Sequence, residues 1–238
     1  MFAEFVAADA PRELRALWNP LLLMSQITPI PCDLASDRQT VTMLVTGPYS
    51  GGKTRLLQSI GLCQLLAQVG AFIPARSGTV ALSSSLVMSL IQETRADQAE
   101  GRLGMELVRI RTLFEQLPPG AVVLLDELCS GTNPSEGEEI FELVIAMLGK
   151  LAPQAFITTH FLTFAARLAR EQKHENLGFL QVELAADRRA TYQFVPGVAT
   201  TSLAGHTAER LGVTGEQLLG LIERNLGRFA HERTSRPG

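Results

Sequence analysis

Three short apolar runs dominate the first two-thirds of the chain. They are Val41-Thr-Met-Leu-Val-Thr46, Ala121-Val-Val-Leu-Leu125 and Ala155-Phe-Ile-Thr-Thr159. Each is too short for a helix and rich in β-branched or large apolar residues, so each predicts a buried strand. A segment of helical periodicity follows each strand. After the first, Arg55 to Val69 brings Leu56, Ile60, Cys63 and Leu66 or Ala67 onto one face, and Gly70 reads as its C-terminal cap. After the second, Asn133 can cap, Pro134 suits the first helical position and Glu136 completes a capping box. Ile140, Val144, Met147 and Leu151 continue that helix's apolar face. The third strand leads into a helix ending near Arg170. Leu103 to Leu117 also reads as helix, stopped by Pro118-Pro119-Gly120.

This alternation predicts an α/β fold of P-loop NTPase type, with a mostly parallel sheet covered by helices. Alternating runs at Phe179–Leu184 and Thr191–Val195, joined by Ala-Ala-Asp-Arg-Arg, predict a β-hairpin at one sheet edge. Residues 1–40 are mixed, and Pro11, Pro20, Pro29 and Pro31 exclude a long helix there. Residues 78–100 read as a loop or a frayed helix, given Ser83-Ser84-Ser85 and the charged run from Glu93 to Glu100. Two helices, Ser202–Leu211 and Thr214–Phe229, close the pattern, the second with Thr214 as cap and Gln217 three residues on. The expected organisation is a domain over 1–200 with a short lead-in, a helix-turn-helix-like segment over 201–230 and a tail over 231–238.

Candidate chemistry sits at the strand ends. Gly47-Pro48-Tyr49-Ser50-Gly51-Gly52-Lys53-Thr54 matches G-x-x-x-x-G-K-[ST] without gaps. Glycines let backbone N–H groups curl around phosphates, and the following helix adds its unsatisfied amides and positive dipole end. Lys53 is expected to reach the outer phosphates, and Thr54 to offer its hydroxyl to Mg²⁺. Arg55 completes the stretch expected to line ATP or ADP. At the end of the second strand, Asp126 is the expected second Mg²⁺ residue, and Glu127 the group that orients or deprotonates the attacking water. An Asp-Glu pair can merely cap a strand, but with the Lys53 loop it rebuilds a complete Mg-nucleotide site. His160, just past the third strand, is expected to sense the γ-phosphate, although a lone His is more often structural.

Composition narrows the setting. The formal net charge is −3, so any nucleic-acid contact must come from a local patch or a partner. Cys32, Cys63 and Cys129 are scattered and odd in number, which excludes a disulfide framework or zinc site and suits a reducing cytoplasm. The first residues carry Glu4, Asp9 and Glu13 and do not read as a signal peptide. No apolar stretch approaches the ~20 residues needed to span a bilayer, so no membrane association is expected.

The motifs together resemble those of the MutS family of DNA mismatch repair proteins. Thr46 to Thr54 resembles TGPNMGGKS, Leu124 to Asn133 resembles LLDEIGRGTS, and Thr158-Thr-His160-Phe161 resembles ATHY. Leu65 to Ala75 looks like the stretch that follows the phosphate loop in that family. The resemblance runs from about residue 15 to 225. It implies an ABC-like ATPase, ATP and Mg as cofactors, and two composite sites in a homodimer or with a MutS-like partner subunit. DNA clamp switching is also implied, with DNA engaged directly or through a partner. Ile30 falls near the family's adenine-packing residues, and Asn19-Pro20 occupies the place of its His-Pro pair. The domains that read mismatches, form the lever and clamp DNA are not in these residues. Two departures stand out: Tyr49 replaces an Asn, and Gly101 aligns with the signature serine that reaches the partner's γ-phosphate. A backbone N–H of Gly101 or the guanidinium of Arg102 is a candidate substitute, and Glu106 matches the family. In the tail, the resemblance favours a dimer contact through Leu218, Leu219, Ile222 and Leu226 over DNA binding in a groove or a helix pair that simply covers the sheet. The alternative function is a nucleotide-binding, hydrolysis-poor dimerisation or partner module. A small-molecule kinase ranks below both, because no Arg-rich lid segment is seen.

Overall fold

The structure is a computed structural model that describes residues 1–8, 10–36, 41–89, 102–130, 133–201, 203, 205, 208–209 and 211–234. The chain divides into two compact units, Met1–Ser202 and Leu203–Gly238.

The first unit holds ten described strands in two sheets. A six-stranded sheet runs in the order β10-β9-β4-β8-β7-β6. Its strands are β4 (Thr42–Thr46), β6 (Leu86–Ser89), β7 (Val122–Leu125), β8 (Gln154–Thr158), β9 (Leu177–Leu184) and β10 (Ala190–Pro196). All neighbours are parallel except β9 and β10, which form an antiparallel hairpin. The expected edge hairpin is therefore present, and it adds to the sheet by laying β9 alongside β4. A four-stranded sheet has the order β1-β5-β2-β3, built from β1 (Glu4–Val6), β2 (Arg12–Leu17), β3 (Cys32–Ser36) and β5 (Ser77–Ala81).

The central strands are continuous apolar runs because both of their faces are covered. Met43, Val45, Val122, Leu124 and Phe156 enter one core cluster together with Leu57 and Ile60 of α2 (Lys53–Gln68). Leu44, Val123, Leu125 and Ile157 point the other way, into a cluster with Phe141 and Val144 of α4 (Pro134–Leu151) and Phe164 of α5 (Leu162–Glu171). The period-2 alternation thus feeds two cores from one sheet. Helix α2 lies very close to the sheet at Gly61, where a Cβ would sit 2.2 Å from Met88 Cε and 3.0 Å from Leu124 Cδ1.

Element starts follow their caps. Asn133 caps α4, its side chain accepting from Ser135 N at 3.3 Å, with proline in the first turn. Helix α2 begins at Lys53, two residues before the periodicity predicts, because Gly52 (φ 87°) turns the chain into the helix. Helix α3 spans Arg102–Gln116.

One expectation is corrected. Within residues 78–100, the described part carries strands β5 and β6 rather than a loop or frayed helix; residues 90–101 lie outside the described ones. The β6 run Leu86-Val-Met-Ser is short and only partly buried at a sheet edge, so its apolar signal is weak. The mixed lead-in holds three strands and a short helix, α1 (Leu21–Met24). Its strand β2 is interrupted by Ala16 at φ 50°, which breaks the alternation that would reveal it.

The second unit contains α6 (Gly215–Thr234), which extends past the predicted end at Phe229. Thr214 and Gln217 form the expected reciprocal cap: Gln217 N donates to Thr214 Oγ1 at 3.3 Å and Thr214 N to Gln217 Oε1 at 3.2 Å. The predicted helix over 202–211 falls largely on residues outside those described. Among the described residues, no helix is long and apolar enough to cross a membrane.

Candidate functional site

Strand β4 delivers the chain to the glycine loop at a buried anchor. Thr46 Oγ1 donates to Leu180 O at 3.1 Å and accepts from Ala199 N at 2.9 Å. Gly47 then turns at φ 143°, and a Cβ there would meet Val182 Cγ2 at 2.6 Å. No L side chain suits that conformation or that space. Pro48 O accepts from Gly51 N at 3.1 Å, Ser50 is left-handed at φ 51°, and Gly52 launches α2. The first-turn amides of α2 have no carbonyl ahead of them within the helix, so they face the loop's concavity as anion donors. Lys53 is buried, and its Nζ donates to Gly47 O and Pro48 O, both at 3.0 Å. Burial lowers its pKa, while the charges of Glu127 and Asp126 oppose that shift. The Tyr49 ring centroid lies 5.6 Å from Lys53 Nζ.

The carboxylates reach the same place from β7. Thr54 Oγ1 donates to Asp126 Oδ2 at 2.7 Å, and Thr158 Oγ1 at the end of β8 donates to Asp126 Oδ1 at 2.6 Å. Thr158 Oγ1 also accepts from Glu127 N at 2.8 Å. Glu127 sits in the left-handed region at φ 48°. Burial pushes its carboxyl above the ordinary value; Lys53 pulls it down and Asp126 raises it further. His160 lies 6.1 Å from Tyr49, centroid to centroid, with the rings inclined by 27°. Burial, then the Lys53 charge, lowers its pKa, which favours the neutral imidazole. Its Nδ1 is buried with no hydrogen-bond partner among the described residues.

A hydroxyl and a carboxylate joined by a hydrogen bond form a hard-oxygen pair that fits Mg²⁺. That ion commonly takes one or two protein oxygens and completes its shell with phosphate and water. Among the described residues, no cluster of three or more His, Cys, Asp or Glu side chains offers an all-protein metal cage. The donor set therefore fits a metal that arrives with a phosphate ligand.

Beside the loop opens a cleft of about 690 Å³, a size that suits a small-molecule or cofactor site. Gly51, Gly52, Lys53, Thr54 and Glu127 are among its lining residues. Ile27 and Ile30 from the lead-in, with Tyr192 and Phe194 from β10, add apolar lining, Tyr192 lying against Gly52. Ile30 thus borders the same cleft as the phosphate loop, as does Arg55, whose Nη1 donates to Gln58 Oε1 at 2.9 Å. Asn19 is buried against α2, donating to Arg55 O at 3.2 Å and Gln58 Oε1 at 3.0 Å. Gly101 and the side chain of Arg102 lie outside the described residues. Sequence reasoning missed Thr158, Tyr192 and Phe194. Thr158 lay within a quoted motif, but its role depends on two partners across the sheet. The two aromatics lie on a bulged strand that reaches the loop only through the hairpin.

A buried strand, a glycine loop, a helix starting at the loop lysine, and a carboxylate from the end of a strand one place removed, bonded to the loop threonine, together define a P-loop NTPase-like fold. The chain belongs to the MutS family: the model for MutS domain V matches residues 43–219. It is 30% identical over 203 residues to Endonuclease MutS2 of Thermomicrobium roseum, covering 84% of this chain and 25% of that protein. The Streptococcus thermophilus Endonuclease MutS2 is 32% identical over 196 residues, with 82% and 24% covered. That of Thermus thermophilus is 31% identical over 184 residues, with 77% and 24% covered. The chain spans about a quarter of the length of these relatives. The family resemblance drawn from the motifs holds.

Proposed function

We propose that this chain is a MutS-type ATPase unit that binds ATP with Mg²⁺ and hydrolyses it to ADP and phosphate. The observation that carries the reading is the 2.7 Å hydrogen bond from Thr54 to Asp126, which joins the phosphate loop to the acidic strand end. The loop amides and Lys53 bind the phosphate chain, with Lys53 exchanging the loop carbonyls for phosphate oxygens. Thr54 and Asp126 hold Mg²⁺, which when bound supplies positive charge to the phosphates. Glu127 accepts a proton from the attacking water, and its raised pKa brings it nearer the operating pH. Neutral His160 contacts the γ-phosphate end. Ile30, Tyr192 and Phe194 pack on the base and sugar. On this reading, residues 1–200 form the ATPase domain and 201–230 a dimerisation segment. Turnover switches a dimer, or a complex with a MutS-like subunit, that acts on DNA in the reducing cytoplasm.

The test is ATP turnover and binding in Lys53→Ala and Glu127→Gln. Lys53→Ala is expected to lose binding and turnover. Glu127→Gln is expected to keep binding and lose turnover by roughly 10²–10⁴-fold, the usual contribution of a general base. Unchanged hydrolysis in both variants removes the assigned roles. Gly101 at the signature-serine position favours a second reading, a nucleotide-binding module with little hydrolysis. Tight ATP binding with background turnover in the parent selects that reading.

A further inference from the structure

The turn that carries Glu127 is short of ladder hydrogen bonds and rich in left-handed residues. Asp126 N is still bonded to the sheet, donating to Ser89 O at 2.9 Å. Beyond it, Glu127 (φ 48°) and Cys129 (φ 60°) both occupy a region that costs an L residue about 1–2 kcal/mol. Such a conformation persists only where its surroundings over-determine it. Here two side chains from other elements provide the constraint. Thr158 of β8 accepts from Glu127 N at 2.8 Å, and Glu106 of α3 accepts from Cys129 N through Oε1. Inside the turn, Ser130 N donates to Glu127 O at 3.1 Å. Cys129 is fully buried and Glu106 half-buried, so water does not readily replace the carboxylate. The negative charge also helps raise the Cys129 thiol pKa, after burial.

We propose that Glu106 is a positioning residue: its carboxylate on Cys129 N fixes the turn that aims Glu127, so the placement of α3 sets the geometry of the hydrolytic carboxylate. The proposal rests on the ATPase reading for its effect on turnover, but not for the contact itself. The loop amides, Lys53, Thr54 and Asp126 bind nucleotide without passing through this turn. Loss of the clamp therefore separates chemistry from binding. A carboxamide keeps an acceptor oxygen in the same place, so geometry rather than charge is what matters.

The experiment compares Glu106→Ala and Glu106→Gln in the full chain by ATP turnover, nucleotide affinity and amide hydrogen exchange. Glu106→Ala is expected to lower kcat by about 10²-fold, the effect of a small misplacement of a catalytic group, with KM and ADP affinity within twofold of the parent. Exchange at residues 127–130 is expected to quicken while β4 and β8 stay protected. Glu106→Gln is expected to restore kcat to within a few-fold and to restore protection. A parental kcat in Glu106→Ala overturns the proposal, and so does a matched loss of kcat, affinity and protection across the sheet. If the parent itself shows no turnover, the ATPase reading fails separately. Exchange then decides: unchanged protection at 127–130 in Glu106→Ala overturns the clamp.

Discussion

At the scale of single residues, the site is organised by one threonine. Thr158 is fully buried, donates to Asp126 and accepts from Glu127 N, so it holds that carboxylate and the Glu127 turn at once. Thr158→Val keeps the shape and removes both bonds. It is expected to destabilise the fold by about 1–3 kcal/mol, because a buried amide and a carboxylate oxygen lose partners. Urea unfolding checks this, and ATP turnover is expected to fall in the same variant. The protonation state of Glu127 gives a second residue-scale prediction. A proton acceptor works only when ionised, and burial lifts this carboxyl above its ordinary 4.5. Turnover is therefore expected to decline with falling pH at a higher pH than an unperturbed glutamate allows, about tenfold per unit along the limb. A kcat profile whose acidic limb lies at or below 4.5 rejects this role.

At the scale of elements, the fit between α2 and the sheet decides where the phosphate loop stands. Gly61 brings the helix within a methyl group's reach of Met88 and Leu124. Gly61→Val inserts atoms where none fit and is expected to lower stability by about 1–3 kcal/mol. Nucleotide affinity is expected to weaken as well, since α2 carries Lys53 and Thr54; urea midpoints and nucleotide titration report the two effects. The same elements show what a sequence discloses. The central strands were legible because burial on both faces leaves uninterrupted apolar runs, and α4 because Asn133-Pro134 announces it. The motif residues from Gly47 to Thr54, and Asp126 with Glu127, were legible because phosphate chemistry restricts residue type at fixed spacing. Strands β2, β3 and β6 were not. β3 and β6 are short edge strands, β2 and β3 start beside prolines, and the left-handed Ala16 breaks the alternation of β2. Tyr192 stayed hidden for a related reason. Its ring lies 3.1 Å from where a Cβ of Gly52 would be, a contact made only after the hairpin docks on β4.

At the scale of the whole molecule, the candidate site falls within one of the two compact units. All loop, carboxylate and cleft residues named above lie within Met1–Ser202. In the second unit, α6 exposes Leu218, Leu219, Leu221 and Ile222, an apolar face of the kind used for association. Sizing with a non-hydrolysable ATP analogue is expected to show a dimer that Leu219→Asp with Ile222→Asp abolishes, while nucleotide affinity stays unchanged. A single mass under all conditions rejects the dimer. One further consequence follows from the cysteines. Cys32, Cys63 and Cys129 are all unpaired and buried, and burial pushes their thiols up to about 11, 12 and 12. Alkylating reagents consume thiolates, so the folded chain resists them until a region opens. The three sulfurs stand at the cleft wall, midway along the loop helix, and two positions beyond Glu127. Mass-resolved alkylation of the native sequence would thus time three separate breathing motions, with no label introduced and no residue changed.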